Sequence, residues 1–258
     1  MGIETDFHSH IVRSSALQMA QKAREHGLRV LGVSEHVFQM AEGRPLLPHM
    51  PQEGPFLSLD SYFLCLQEAA EMAQLPLRIG LEVDFVPERH AEIWQAIDGR
   101  AWDFLIGSVH QVDTLVFEGV HHRDRTKGEA LWLRYFDLLR SAVRSGVFSL
   151  VSHPVRMRAT NPFLPSRLDE ELESLAAEAT HHNVALEING FDIRTYPSLV
   201  KRLARACASQ HTPISIGSDA HDPRGIAQGH ALSEQLLHEL GIERVRIWKK
   251  RIPEEYKI

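Results

Sequence analysis

The chain has 258 residues, with 28 Lys+Arg against 34 Asp+Glu and a formal net charge of −6. Hydrophobic residues make up 43% and charged residues 24%, the balance of a globular chain rather than a disordered one. The acidic excess argues against a generic nucleic-acid coat, and no apolar run of about 18 residues is present to span a membrane.

Short apolar runs alternate with amphipathic stretches along the sequence. The first predicted strand, Ile3–His8, leads to a helix over Ser15–His26 that Gly27 ends. Strand Arg29–Ser34 follows. The connection Phe38–Leu57, with four prolines and two glycines, reads either as a binding segment or lid or as a surface insertion. Next come helix Ser58–Gln74, strand Leu77–Val83, helix Glu88–Ile97 and strand Asp103–His110. A second long connection, Thr114–Lys127, precedes helix Glu129–Ser145, stopped by Gly146. The remaining elements are strand Phe148–His153, helix Asp169–His182, strand Val184–Asn189, helix Tyr196–Ser209, strand Ile214–Asp219 and helix Ile226–Leu240, stopped by Gly241. A weak eighth run, Arg244–Trp248, closes the series. This order predicts an α/β protein with parallel strands and helical crossovers. Seven or eight such units point to one closed or nearly closed (β/α) barrel over residues 1–258, with a doubly wound open sheet as the alternative.

The start, Met-Gly-Ile-Glu-Thr-Asp, lacks the basic and apolar regions of a signal peptide. Cys65 and Cys207 lie far apart in helical stretches, so a cytoplasmic chain without disulfides is expected.

Histidine is the unusual component: there are 16, as many as glycine. Their placement carries more than their number. His8 and His10 end the first strand in Asp-Phe-His-Ser-His, and His36 ends the second in Ser-Glu-His. Glu82 ends the third, His110 the fourth and His153 the fifth. Glu187 and Asn189 end the sixth, and Asp219 and His221 the seventh. In a parallel barrel all strand C-termini meet on one face, and side chains two apart on a strand point the same way. Eight convergent donors (His8, His10, His36, Glu82, His110, His153, Asp219 and His221) exceed what one ion needs. The set predicts two or three divalent transition metals, zinc, manganese or iron, with a carboxylate such as Glu82 bridging a pair. His26, His90, His181, His182, His211, His230 and His238 lie in or beside helices and are expected on the surface. His121 and His122 sit on the loop after the fourth strand.

These motifs, in this order, resemble those of the PHP (polymerase and histidinol phosphatase) superfamily, spanning residues 6 to 221. The closer likeness is to its histidinol-phosphatase branch, through Trp102–His110, Glu187-Ile188-Asn189, Tyr196-Pro197-Ser198 and Gly217–His221 with Pro223. The resemblance implies a distorted, TIM-like (β/α)7 barrel that hydrolyses phosphate esters. It also implies that His8, His10, Glu82 and Asp219 hold one metal and Glu82, His110 and His153 a second, with His36 and His221 contributing to a third. The chain departs from the family in three places. Ala16 stands where many members have a further His or Asp, so a third ion would depend on water or Glu35. Val155 replaces a common acid. Gly190-Phe191-Asp192-Ile193-Arg194 replaces the usual Thr-Ser/Ala-Gly-Leu-Arg.

The expected reaction is hydrolysis of a small phosphomonoester by metal-activated hydroxide. Arg158 and Arg194 are the expected phosphate partners, ahead of Arg156 and Arg123. Asp219, His221 or a metal-bound water protonates the leaving alcohol. The alternatives are a phosphodiesterase or exonuclease acting on nucleotides, which would need a basic groove and stacking residues, and a barrel without catalysis.

Overall fold

The computed structural model describes residues 2–51, 56–113 and 115–258. Seven strands pair in parallel in chain order: β1 (Thr5–Asp6), β2 (Val30–His36), β3 (Leu77–Asp84), β4 (Phe104–Ser108), β5 (Leu150–Val151), β6 (Ala185–Asn189) and β7 (Ile214–Gly217). Backbone hydrogen bonds from Phe7 N to Ile216 O (2.9 Å), Asp219 N to His8 O (2.8 Å) and His10 N to Ala220 O (2.8 Å) join the first strand to the last. The sheet is therefore a distorted barrel, as expected, rather than an open sheet.

Around it lie α1 (Ala16–Glu25), α2 (Leu59–Ala73), α3 (His90–Ile97), α4 (Arg125–Arg144), α5 (Leu168–His181), α6 (Gly190–Thr195), α7 (Pro197–Gln210) and α8 (His230–Glu239). Helix α1 illustrates why they form. Ser15 accepts from Gln18 N and the Gln18 side chain accepts from Ser15 N, satisfying two orphan donors. Ala16, Met19, Ala20 and Ala23 are its buried residues, the spacing of a single helical face.

The barrel interior is filled by Phe7, Phe104, Ile106, Leu150 and Ala185, with Ile247 and Trp248 beneath them. Phe104 needs room. A Cβ at Gly80 would stand 2.4 Å from its ring, so only glycine fits there. Trp248 lies 5.8 Å from the Phe7 ring centroid and 6.3 Å from that of Phe104.

Trp248 belongs to a feature that the sequence order did not anticipate. The weak eighth run is a strand, β8 (Arg244–Lys249), but it pairs antiparallel with β9 (Ile252–Lys257) and not with the barrel. Lys250 and Arg251, both with positive φ, make the tight turn that such a ribbon prefers. The ribbon docks under the barrel through residues that precede strands: Lys250 N donates to Asp103 Oδ1 and the Tyr256 hydroxyl to Glu4 Oε2. It closes the end opposite the strand C-termini.

Other differences are local. Helix α4 starts at Arg125 because Asp124 caps it through Lys127 N, which shortens the Thr114–Lys127 connection. Helix α6 was unforeseen; Asn189 caps it by accepting from Phe191 N and Asp192 N. His230 is buried, with Nε2 3.0 Å from Thr5 O, and His90 is half-buried; neither is the surface residue expected. The described part of Phe38–Leu57 is packed, with Phe38, Met40, Leu47 and Met50 buried. Residues 52–55 of that connection and Thr114 lie outside the described residues. Among the described residues, no helix is long and apolar enough to cross a membrane.

Candidate metal centre

All eight strand-end donors meet at the C-terminal mouth of the barrel. His8 Nε2 lies 3.3 Å from Glu82 Oε2 and 3.7 Å from Asp219 Oδ1; His10 Nε2 lies 3.6 Å and 3.3 Å from the same oxygens. Four donors around a tetrahedral zinc, at bond lengths of ~2.0–2.2 Å, stand about 3.3–3.6 Å from one another. His8, His10 and Glu82 form a group whose donor atoms all lie within 4.8 Å of one another, and Asp219 joins it through its contacts with the two imidazoles. A Cβ at Gly217 would stand 2.3 Å from His8 Cβ and from Glu187 Oε1, so the glycine lets this corner close.

The unmade hydrogen bonds point the same way. His8 Nε2, His10 Nε2 and Glu82 Oε2 are buried and have no hydrogen-bond partner. Such an atom costs about 1–3 kcal/mol when nothing meets it. Three of them converging on one point suit a cation.

Glu82 faces two ways. Its Oε2 belongs to the cluster above. Its Oε1 lies 3.1 Å from His153 Nε2 and 3.6 Å from His110 Nε2, and accepts from Ser108 Oγ (2.5 Å) and Ser152 Oγ (3.3 Å). His36 Nε2 is 3.1 Å from Glu82 Oε2. His10, His36 and His221 form a further group, with one nitrogen from each within 4.8 Å of the others. Ala16 is buried as the first residue of α1 and brings no donor there.

Behind the imidazoles stands a layer of carboxylates. His8 Nδ1 lies 2.7 Å from Glu187 Oε1, His110 Nδ1 2.7 Å from Asp84 Oδ1, and His10 and His36 Nδ1 each 3.3 Å from Glu35 Oε1. A carboxylate on Nδ1 fixes the tautomer and turns Nε2 toward the centre. The Glu35 oxygens are fully engaged, since they also accept from Ile11 N, Val12 N and His36 N. Glu35 thus orients histidines. The orienting roles of Glu35 and Asp84 were missed in the sequence. Asp84 had a readable signal, lying two residues after Glu82 on the same strand face.

The electrostatics follow from this packing. Burial pulls the His8 pKa down, but Glu187, Glu82 and Asp219 outweigh it and hold the ring well above the ordinary histidine value. His10 is likewise opposed by burial yet raised to about 9, through Asp219 and Glu35. Burial pushes Glu82, Asp219 and Glu35 up, and the neighbouring histidines, joined at Asp219 by Arg156, bring all three well below the usual carboxylate range. His221 falls to about 4, first through burial and then through His10. His153 and Asp219 also hold positive φ, 31° and 58°, a local cost of ~1–3 kcal/mol each.

The arginines divide. Arg156 lies deepest, donating to Asp219 Oδ2 at 2.7 Å. Arg158 lies over Tyr196, 5.3 Å from the ring centroid, and Arg194 donates to Gln228 Oε1. Arg123 is exposed. Gln228, Arg13, Asp219 and His221 help to line a cavity of about 430 Å³ at the mouth. Arg13 was not singled out in the sequence.

Known proteins resemble this chain in sequence and in fold. The profile of the PHP domain matches residues 6–190. A probable histidinol-phosphatase of Deinococcus radiodurans is 26% identical over 238 residues, covering 87% of this chain and 86% of that protein. A probable phosphatase of Vibrio cholerae is 25% identical over 258 residues, covering 96% and 89%. The crystal structure of a histidinol phosphate phosphatase from Lactococcus lactis, complexed with zinc, L-histidinol and phosphate, superposes with a TM-score of 0.80 at 19% identity, covering 97% of this chain and 98% of that one.

Proposed function

This chain belongs to the PHP domain family, and on that premise we propose that it is a metal-dependent phosphatase hydrolysing a small phosphomonoester, as a histidinol-phosphatase-like enzyme does. The observation that carries the reading is Glu82. One of its oxygens faces His8, His10 and His36 and the other faces His110 and His153, a placement that would let one carboxylate serve two ions. His8, His10, Glu82 and Asp219 would hold one metal, and Glu82, His110 and His153 a second. His36 and His221 would give a third only two donors of its own. Zinc suits the imidazole-rich set, with manganese or iron as alternatives. Bound metals supply Lewis-acid polarisation of the phosphoryl group and a nucleophile from water at neutral pH.

The chain's own residues then have separate tasks. The carboxylates Glu35, Asp84 and Glu187 hold the imidazoles in one tautomer. Arg158 and Arg194 are assigned to the phosphate, since a guanidinium can meet two phosphate oxygens. Leaving-group protonation falls to water. Arg156 occupies Asp219 Oδ2, and His221, with Nδ1 against Asp219 O and a depressed pKa, presents an acceptor.

A panel of phosphate esters tests the proposal. Monoesters, L-histidinol phosphate among them, are expected to be turned over with kcat/KM at least ~100-fold above that of diesters. Preference for diesters or oligonucleotides would overturn it.

A further inference from the structure

Arg156 sits in a short turn, Arg156–Ala159, just after His153. Its side chain is 12% exposed. Three protein acceptors take its edge. Nε donates to Asp192 Oδ1 (2.8 Å), and Nη2 donates to Asn189 Oδ1 (3.0 Å) and Asp219 Oδ2 (2.7 Å). Its guanidinium carbon lies 5.0 Å from the centroid of the Phe191 ring, within cation–π reach. Asp192 is almost fully buried, so removing one partner would leave the other as an uncompensated buried charge.

The consequence lies in Asp219. With Oδ2 held by Arg156, Oδ1 alone faces the His8 and His10 Nε2 atoms. The same network reaches a second donor. Asn189 Nδ2 donates to Glu187 Oε2 (3.1 Å), and Glu187 Oε1 meets His8 Nδ1 (2.7 Å). We propose that Arg156 is a positioning residue of the metal centre, fixing Asp219 as a one-oxygen donor and steadying His8 through Asn189 and Glu187, and that it is not a phosphate ligand. Asp192 and Phe191 hold the guanidinium in place. The inference rests on reading the site as a metal centre.

The test compares wild type with Arg156→Met, with Arg156→Met/Asp192→Asn and with Arg156→Lys. The double variant removes Arg156 and Asp192 together, so Asp192 is not left as an unpaired buried carboxylate if the single variant fails to fold. Three quantities are read: zinc affinity by competition with a chromogenic chelator, the electronic spectrum of the cobalt(II) form, and kcat and KM on p-nitrophenyl phosphate. Zinc affinity is expected to fall about 10–100-fold in the methionine variants, the usual effect of losing an outer-shell partner. The cobalt spectrum should change, and kcat should drop while KM stays within about threefold. Lysine should restore part of the loss. A folded variant with wild-type zinc affinity and cobalt spectrum but a raised KM would overturn the proposal and make Arg156 a phosphate ligand. A wild-type protein that binds zinc but hydrolyses no monoester would sink the phosphatase reading, and the zinc and cobalt measurements would still decide the role of Arg156. A wild-type protein that binds no zinc or cobalt would overturn this proposal too.

Discussion

Nδ1 of His8 lies 2.7 Å from Oε1 of Glu187, and both side chains are fully buried. Glu187 Oε2 meanwhile accepts from His153 N (2.7 Å), so one carboxylate steadies a histidine from each side of Glu82. Replacing Glu187 by Ala should therefore weaken zinc binding by about 10–100-fold. It should also cost about 1–3 kcal/mol for each buried donor left alone. Zinc competition and thermal melts on the same variant measure both effects. Unchanged zinc affinity would remove Glu187 from the centre.

The pH dependence has a definite sign. In the metal-free protein His10 is raised from 6.5 to about 9, so the stability this adds is complete below pH 6.5 and is lost as pH rises through about 9. Glu82, Glu35 and Asp219 are lowered. Their contribution is present above the ordinary carboxylate range and is lost as pH falls below it. The metal-free protein should then lose Tm on both the alkaline and the acid side. Zinc competes with the protons on His8 and His10, so its apparent affinity should climb with pH up to about 9. A zinc affinity flat across this range would contradict the assignment.

Arg158 and Arg194 are the assigned phosphate partners. Arg158→Ala and Arg194→Ala should each weaken kcat/KM on a phosphomonoester by about tenfold or more, the worth of a charged hydrogen bond, and leave zinc content alone. Steady-state kinetics on each variant checks this, and a neutral outcome drops that arginine from the site.

Trp248 plugs the far end of the barrel against Phe7 and Phe104. Trp248→Ala should cost about 3–5 kcal/mol in denaturant unfolding without altering zinc affinity, because the plug and the donors sit at opposite ends. Lost zinc affinity at full stability would contradict that separation.

The strand ends were legible because their donors are chemically distinctive and recur at one point of each βα unit. His8, His10, His36, Glu82, His110, His153, Asp219 and His221 read as one mouth from their places in the sequence alone. The barrel's lower plug was not legible: Arg244–Trp248 has the pattern of an eighth barrel strand, and only the Lys250-Arg251 turn sends it back on itself. The outer layer was harder still. In sequence Glu35 reads as a donor to a third ion, Arg156 as a secondary phosphate partner and Asp84 as an ordinary charge, and their roles depend on which imidazole or carboxylate the fold brings to them. His230 failed for the opposite reason, since a helical position says little about burial when Thr5 O waits beneath it.

The most direct measurement is the metal content of wild type and Glu82→Ala, purified without chelators and assayed in parallel for phosphomonoester hydrolysis. If Glu82 is shared between two ions, wild type should carry about two or more transition-metal ions per chain, and Glu82→Ala should lose most of that metal together with turnover. Full metal content and full activity in Glu82→Ala, or a metal-free wild-type enzyme that still hydrolyses the ester, would contradict the account.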